Sequence, residues 1–273
     1  MLAYDRRMSF DDLSDFERLD LTYRGKTKAV YRKGAGPAVV VISEIPGITP
    51  QVADFARKVV DIGCTVAMPS LFGSSGRPIT TGYALKSISR TCVSREFYLL
   101  AKNKRSRVTD WLIDLSRDLH EECGGPGVGA IGMCLTGGFA LAMMVDPVVV
   151  APVLSQPSLP LPFGSKRKAA VGLSPDELRV VVARATDGCS VLGLRFTADA
   201  MSPADRFETL RRELGDGFVA VEIDSGAGNE NGLTKSAHSC VTNDLKPDPD
   251  HPTQHALDQV LDFFRDRLLV DHR

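Results

Sequence analysis

Gly129-Ala130-Ile131-Gly132-Met133-Cys134-Leu135-Thr136-Gly137-Gly138 places a cysteine between an apolar run and a stretch of helical character, with glycines on both sides. Small flanking residues let the backbone turn sharply from strand to helix, the arrangement of a nucleophile elbow. A side chain at such a turn is pushed clear of the sheet at the positive end of a helix, where a thiolate gains stabilisation. Cys134 is therefore the candidate nucleophile, set against the ordinary use of cysteine as a small buried hydrophobe. No G-x-S-x-G stretch elsewhere supplies a competing serine.

Working outward, the segment before the elbow is a strand, Val128-Gly129-Ala130-Ile131-Gly132. It is reached from Trp111, Leu112, Leu115 and Leu119, which recur at helical spacing and stop before Gly124-Gly125-Pro126-Gly127. Earlier still, Val39-Val40-Val41-Ile42 is the β-branched run of a strand buried on both faces. Val52, Phe55, Val59 and Val60 then mark a helix closing at Gly63, and Thr65-Val66-Ala67-Met68-Pro69 returns as strand. Beyond the elbow come a helix from Gly137 to Val145 and strands at Val148–Leu154, Val191–Phe196 and Phe218–Ile223. A helix at Pro203–Leu214 and a terminal amphipathic helix at Leu257–Leu269 complete the pattern. Strands alternating with helices predict an α/β fold, a mostly parallel doubly wound sheet flanked by helices on both faces.

Residues 1–273 are read as one domain, since 273 residues lie near the size at which a single core stops growing. The first ~25 residues read as a peripheral extension by their polar, unpatterned composition. Ser70–Thr91 and Gln156–Arg179 read as excursions over the strand ends, of the kind that shape substrate pockets.

Lys and Arg total 33 against 34 for Asp and Glu, so no net field draws the chain to nucleic acid or an anionic membrane. Nothing at the start resembles a signal peptide, and no later run approaches the ~20 apolar residues that cross a bilayer. A cytoplasmic protein with a small-molecule partner is expected, as a monomer or a homodimer. The six cysteines include no CxxC pair, which argues against a zinc knuckle and for free thiols.

A thiol nucleophile needs a base, and the base an orienting acid, on loops at the carboxyl ends of later strands. Asp199 follows the strand Val191–Phe196, with Asp187 and Asp205 as neighbours; Asp187 precedes that strand and lies at its wrong end. Of the five histidines, His120 rides the helix before the elbow, His251 and His255 belong to the terminal helix, and His272 is terminal. His238 alone sits on the loop after the last strand, where a general base is required.

With these residues assembled, the chain resembles the dienelactone hydrolase family, the cysteine-dependent branch of the α/β-hydrolases, from about Lys28 to Leu269. The likeness rests on Ser43-Glu44-Ile45-Pro46-Gly47, Gly132-Met133-Cys134-Leu135, Asp199 with Pro203, and Ala237-His238-Ser239. It implies a Cys134, His238, Asp199 triad that cleaves a small lactone or ester through an acyl-sulfur intermediate. It also implies that Glu44 contacts the resting thiol and helps to switch it to thiolate, and that the backbone N–H groups of Leu135 and Ile45 form an oxyanion hole. No cofactor and no metal are implied.

Two positions depart from the family pattern. Thr136 stands where a glycine is usual, and Thr242 stands four residues after the histidine, where an arginine commonly binds the dienelactone carboxylate. Arg77, Arg90 or Arg95 of the first excursion would be replacement cations, with Arg77 and Arg95 the candidate substrate-binding residues. A thioesterase or promiscuous esterase with the same triad, and a non-catalytic binding protein on the same fold, are the competing readings.

Overall fold

The computed structural model describes residues 9–80, 106–160 and 164–269. Among them eight strands form one sheet: Glu17–Tyr23 (β1), Lys26–Lys33 (β2), Ala38–Ile42 (β3), Thr65–Pro69 (β4), Val128–Met133 (β5), Val149–Ser155 (β6), Val191–Phe196 (β7) and Phe218–Ile223 (β8). Their order is β1-β2-β4-β3-β5-β6-β7-β8. All pairs from β4 to β8 are parallel, and β2 joins β1 and β4 antiparallel.

β3 is central, and each of its residues is at 0% exposure. Val39 and Val41 face one side of the sheet and Val40 and Ile42 the other. A strand covered on both faces has no polar side, so its sequence is a continuous apolar run. Burying one such Val or Ile contributes roughly 1.5–3 kcal/mol.

The helices divide between the two faces. Pro50–Asp61 (α1) and Pro252–Leu268 (α7) pack Val52, Phe55, Val260 and Phe264 on the side of Val39 and Val41. Arg107–Cys123 (α2), Gly137–Met143 (α3), Pro175–Thr186 (α5) and Ala204–Leu214 (α6) pack Trp111, Phe139, Val181 and Phe207 on the other, and the short helix Ser165–Ala169 (α4) precedes α5. The chain winds from β3 outward to β4 and then back past β3 to β5. In open α/β sheets the place beyond the carboxyl ends of the strands at such a reversal, here β3 and β5, is where ligands bind.

Three expectations are corrected. The segment read as a peripheral extension supplies β1, an edge strand whose pairing with β2 closes through Arg24 and Gly25, at φ 51° and 72°. Two consecutive positive φ angles are what a two-residue hairpin turn needs. The excursion drawn from Gln156 to Arg179 contains α4 and the start of α5, which is nucleated by a capping box: Ser174 accepts from the Glu177 N–H and Glu177 accepts from the Ser174 N–H. The terminal helix begins at Pro252, five residues before Leu257, because His251 caps it by accepting from the Thr253 N–H. The first excursion is described only to residue 80, so most of it lies outside the described residues.

Candidate active site

β5 ends at Met133, a single 3-10 turn carries Cys134–Thr136, and α3 starts at Gly137. Cys134 is left-handed, at φ 57°, a conformation that costs a non-glycine residue on the order of 1 kcal/mol and that clusters at functional sites. The glycines around it are required by space. A Cβ on Gly132 would stand 2.1 Å from the Thr136 carbonyl oxygen, and one on Gly137 2.9 Å from Pro157 Cβ.

Thr136, the departure from glycine, turns its hydroxyl to the backbone. Its Oγ1 accepts from the Met133 N–H at 2.7 Å and lies 2.9 Å from the carbonyl of Ile42 and 2.8 Å from that of Met133, to which it can donate. The side chain thus ties the elbow to the end of β3. On the other flank, the Ser158 N–H donates to the Cys134 carbonyl at 2.9 Å.

Asp199 is buried on the loop between β7 and α6. One carboxylate oxygen accepts from the Met201 N–H at 2.8 Å, and the other meets His238 Nδ1 at 2.6 Å. The loop is clamped by Arg195 of β7, whose Nε donates to the Ser202 carbonyl at 2.9 Å and whose Nη2 donates to that of Thr197 at 2.8 Å. His238 lies between β8 and α7, and its turn is closed by Asp244, which accepts from the N–H groups of His238 and Ser239 at 2.8 and 2.9 Å.

With Nδ1–H committed to Asp199, Nε2 is the free end of the imidazole. It is buried and, among the described residues, has no hydrogen-bond partner. Burial pushes the His238 pKa down, but the charge of Cys134 and the hydrogen bond to Asp199 outweigh it and hold the pKa well above the ordinary 6.5. Cys134 is therefore close enough to the imidazole to act on it. Because the native pKa is raised, this imidazolium stabilises the fold below the unfolded value of about 6.5, and that contribution fades as pH climbs through the raised native value. In Cys134→Ala the His238 titration followed by imidazole NMR is expected at lower pH than in the parent. An unmoved midpoint would mean that Cys134 is not the group holding it up.

Glu44, just past β3, is buried with both oxygens occupied. Ser239 Oγ donates at 2.8 Å, Thr242 Oγ1 at 2.6 Å, and the amides of Gln156 and Asn243 at 3.4 Å each. Among the described residues these four side chains, on the loops after β6 and β8, hold the carboxylate. Thr242 spends its hydroxyl on Glu44 rather than facing a substrate. Leu135, named for an oxyanion hole, follows Cys134 in the 3-10 turn, and Ile45 follows Glu44 on the loop after β3.

Arg77 is exposed on the loop leaving β4, and Arg90 and Arg95 lie outside the described residues. Asp187 caps the end of α5, ahead of the amino end of β7, and Asp205 is in the first turn of α6. Sequence reasoning missed Asp244, Gln156 and Arg206. Only Arg206 left a readable signal, a charge on the buried face of α6 between Pro203 and Leu210.

A left-handed residue on a sharp turn after a central strand, with an acid and a histidine on the loops after two later strands, defines an α/β-hydrolase. No curated protein matches the chain significantly. The dienelactone hydrolase family matches residues 26–268, and the chain belongs to it. Solved structures agree on the fold. A dienelactone hydrolase from Anabaena variabilis superposes with a TM-score of 0.56 at 15% identity, over 93% of this chain and 99% of that one. A dienelactone hydrolase-like promiscuous phosphotriesterase from metagenomic libraries gives 0.59 at 16%, over 93% and 98%. The thioesterase domain from the curacin biosynthetic pathway gives 0.54 at 10%, over 90% and 99%. The protein is a hydrolase by family, and among the described residues no helix is long and apolar enough to cross a membrane.

Proposed function

We propose that this hydrolase cleaves a small carboxylic ester or lactone through a Cys134–His238–Asp199 triad. The observation that carries the reading is the 2.6 Å contact of His238 Nδ1 with Asp199, which leaves a buried, unpartnered Nε2 beside a left-handed Cys134. The Cys134 thiolate attacks the carbonyl carbon and the C=O electron pair moves to oxygen, towards the N–H groups of Leu135 and Ile45. Collapse expels the alkoxide, which takes its proton from the His238 imidazolium; in a lactone the ring opens. Water then gives a proton to neutral His238 and attacks the thioester, and the carboxylic acid leaves as the thiolate returns.

Thr242 favours a neutral ester over an acid-bearing one, because its hydroxyl is bound to Glu44 and no cation stands at that position. A thioester is consumed by the same steps and is the second substrate class to assay. The test is hydrolysis of dienelactone, p-nitrophenyl acetate and an acyl thioester at neutral pH by the parent and by Cys134→Ala. Turnover of at least one by the parent, lost in the variant, is expected. Turnover that survives Cys134→Ala would remove the cysteine from the mechanism, and binding without turnover of any of them would favour a ligand-binding role.

A further inference from the structure

Arg206 is the largest charged side chain in the interior, 2% exposed on the inner face of α6. Among the described residues its guanidinium meets only backbone carbonyls: Nε donates to Ala170 at 2.7 Å, Nη1 to Pro157 at 2.6 Å and Met201 at 3.4 Å, and Nη2 to Arg167 at 3.4 Å. Among the described residues no carboxylate forms an ion pair with it. A buried cation of this kind costs several kcal/mol unless its surroundings compensate. An apolar side chain at this point of the stripe formed by Phe207, Leu210 and Leu214 would have served the core.

The four carbonyls belong to the segments that flank the candidate triad. Pro157 packs on Gly137 of the elbow, and its neighbour Ser158 donates to the Cys134 carbonyl. Met201 donates to the Asp199 carboxylate. One planar fork thus draws the loop after β6 and the loop after β7 together behind the nucleophile and the acid. We propose, building on the triad reading above, that Arg206 is a positioning residue of the hydrolytic site, a fixed buried cation that braces both loops behind Cys134 and Asp199.

The charges that act on it fit this role. Burial pushes the Arg206 pKa down to about 10, while Asp199 and Cys134 push it back up, so it stays charged at neutral pH. His238 acts on the same two residues, hydrogen-bonded to Asp199 at 2.6 Å.

The experiment compares the rate of Cys134 alkylation by iodoacetamide at pH 7, located by peptide mapping, in the parent, Arg206→Met, Arg206→Gln and Arg206→Lys, together with the pH profile of kcat/KM. Loss of the cation in Arg206→Met or Arg206→Gln is expected to slow alkylation at least tenfold and to move the acidic limb of the profile to higher pH, with KM changed less than kcat. Arg206→Lys, which keeps the charge but loses the fork, should recover most of the alkylation rate while still lowering Tm. Arg206→Gln stands in if Arg206→Met does not fold. Variants that alkylate as fast as the parent, or that all slow equally with an unmoved profile, would overturn the proposal. If Cys134 of the parent reacts no faster than its other thiols, the triad reading fails and this inference falls with it; if the parent reacts selectively and the variants match it, only the role of Arg206 fails.

Discussion

His238→Ala should lower kcat by about four orders of magnitude on any ester the parent hydrolyses, with KM changed less than tenfold. General acid–base catalysis contributes about 10²–10⁴ on its own. In the proposed mechanism the same ring also protonates the leaving group, activates water and supplies the charge opposite the thiolate, so the upper end applies. The variant also leaves the Asp199 carboxylate, 5% exposed, without its imidazole partner, so a drop in Tm accompanies the loss. Steady-state kinetics on folded variant decide the matter, and a kcat within tenfold of the parent would dismiss His238 as the base. Cys64 and Cys240, both buried, offer little background in labelling controls. Burial holds Cys64 up at about 11, and Cys240 is pushed well above 9.0 by burial and the nearby Asp199, Asp244 and Glu44 carboxylates.

What could be read in the chain divides by the range of the interaction involved. β3, β5 and β7 were legible because strands buried on both faces are runs of apolar residues, and the elbow was legible because its glycines answer a local steric demand. His238 and Asp199 followed from loop position alone. β1 was not read, although Leu19, Leu21 and Tyr23 alternate, because Arg18, Asp20 and the acidic residues before them dominate the composition, and an edge strand with polar faces carries a weak apolar signal. The cap of α5 at Ser174-Pro175-Asp176-Glu177 was present in the sequence but was overlooked inside a segment taken as loop. Long-range polar contacts had no local trace. Nothing near Thr242 announces that its hydroxyl will bind a carboxylate 198 positions earlier, and nothing near Gln156 announces that its amide will reach the same group.

Those contacts alter how the two departures from the family pattern are understood. Thr136 and Thr242 are both turned inward, one bracing the nucleophile turn against β3 and the other holding Glu44 to the histidine loop. Each hydroxyl spends its hydrogen bonds on the scaffold, so neither is available to a substrate. Glu44 correspondingly joins three elements: its own loop after β3, Gln156 at the end of β6, and residues 239–243 beside His238.

Gly132→Ala should destabilise the protein by about 3 kcal/mol, the upper end for overpacking a rigid site. That corresponds to roughly 6–12 °C in Tm for a chain of this size. The added Cβ would stand 2.1 Å from the Thr136 carbonyl oxygen, 2.6 Å from its carbon and 2.9 Å from Gly137 Cα, all backbone atoms. Neither partner can retreat easily. Thr136 is fixed through its hydroxyl to Met133 and Ile42, and Gly137 is already pressed against Pro157. The strain is relieved only by moving the turn, which displaces Cys134, and a shift of about 1 Å at a reacting atom costs on the order of 100-fold in rate. Gly129→Ala, three residues earlier on the same strand, is the control. Its Cβ would meet Phe264 at 3.0 Å and Leu268 at 3.1 Å, side chains that can yield by a few tenths of an ångström, so its Tm loss should be less than half as large and its kcat near the parent's. Thermal melts and kinetics on the pair separate the two sites. Equal losses, or a Gly132→Ala protein as stable and active as the parent, would mean that the tight turn is not what holds the nucleophile in place.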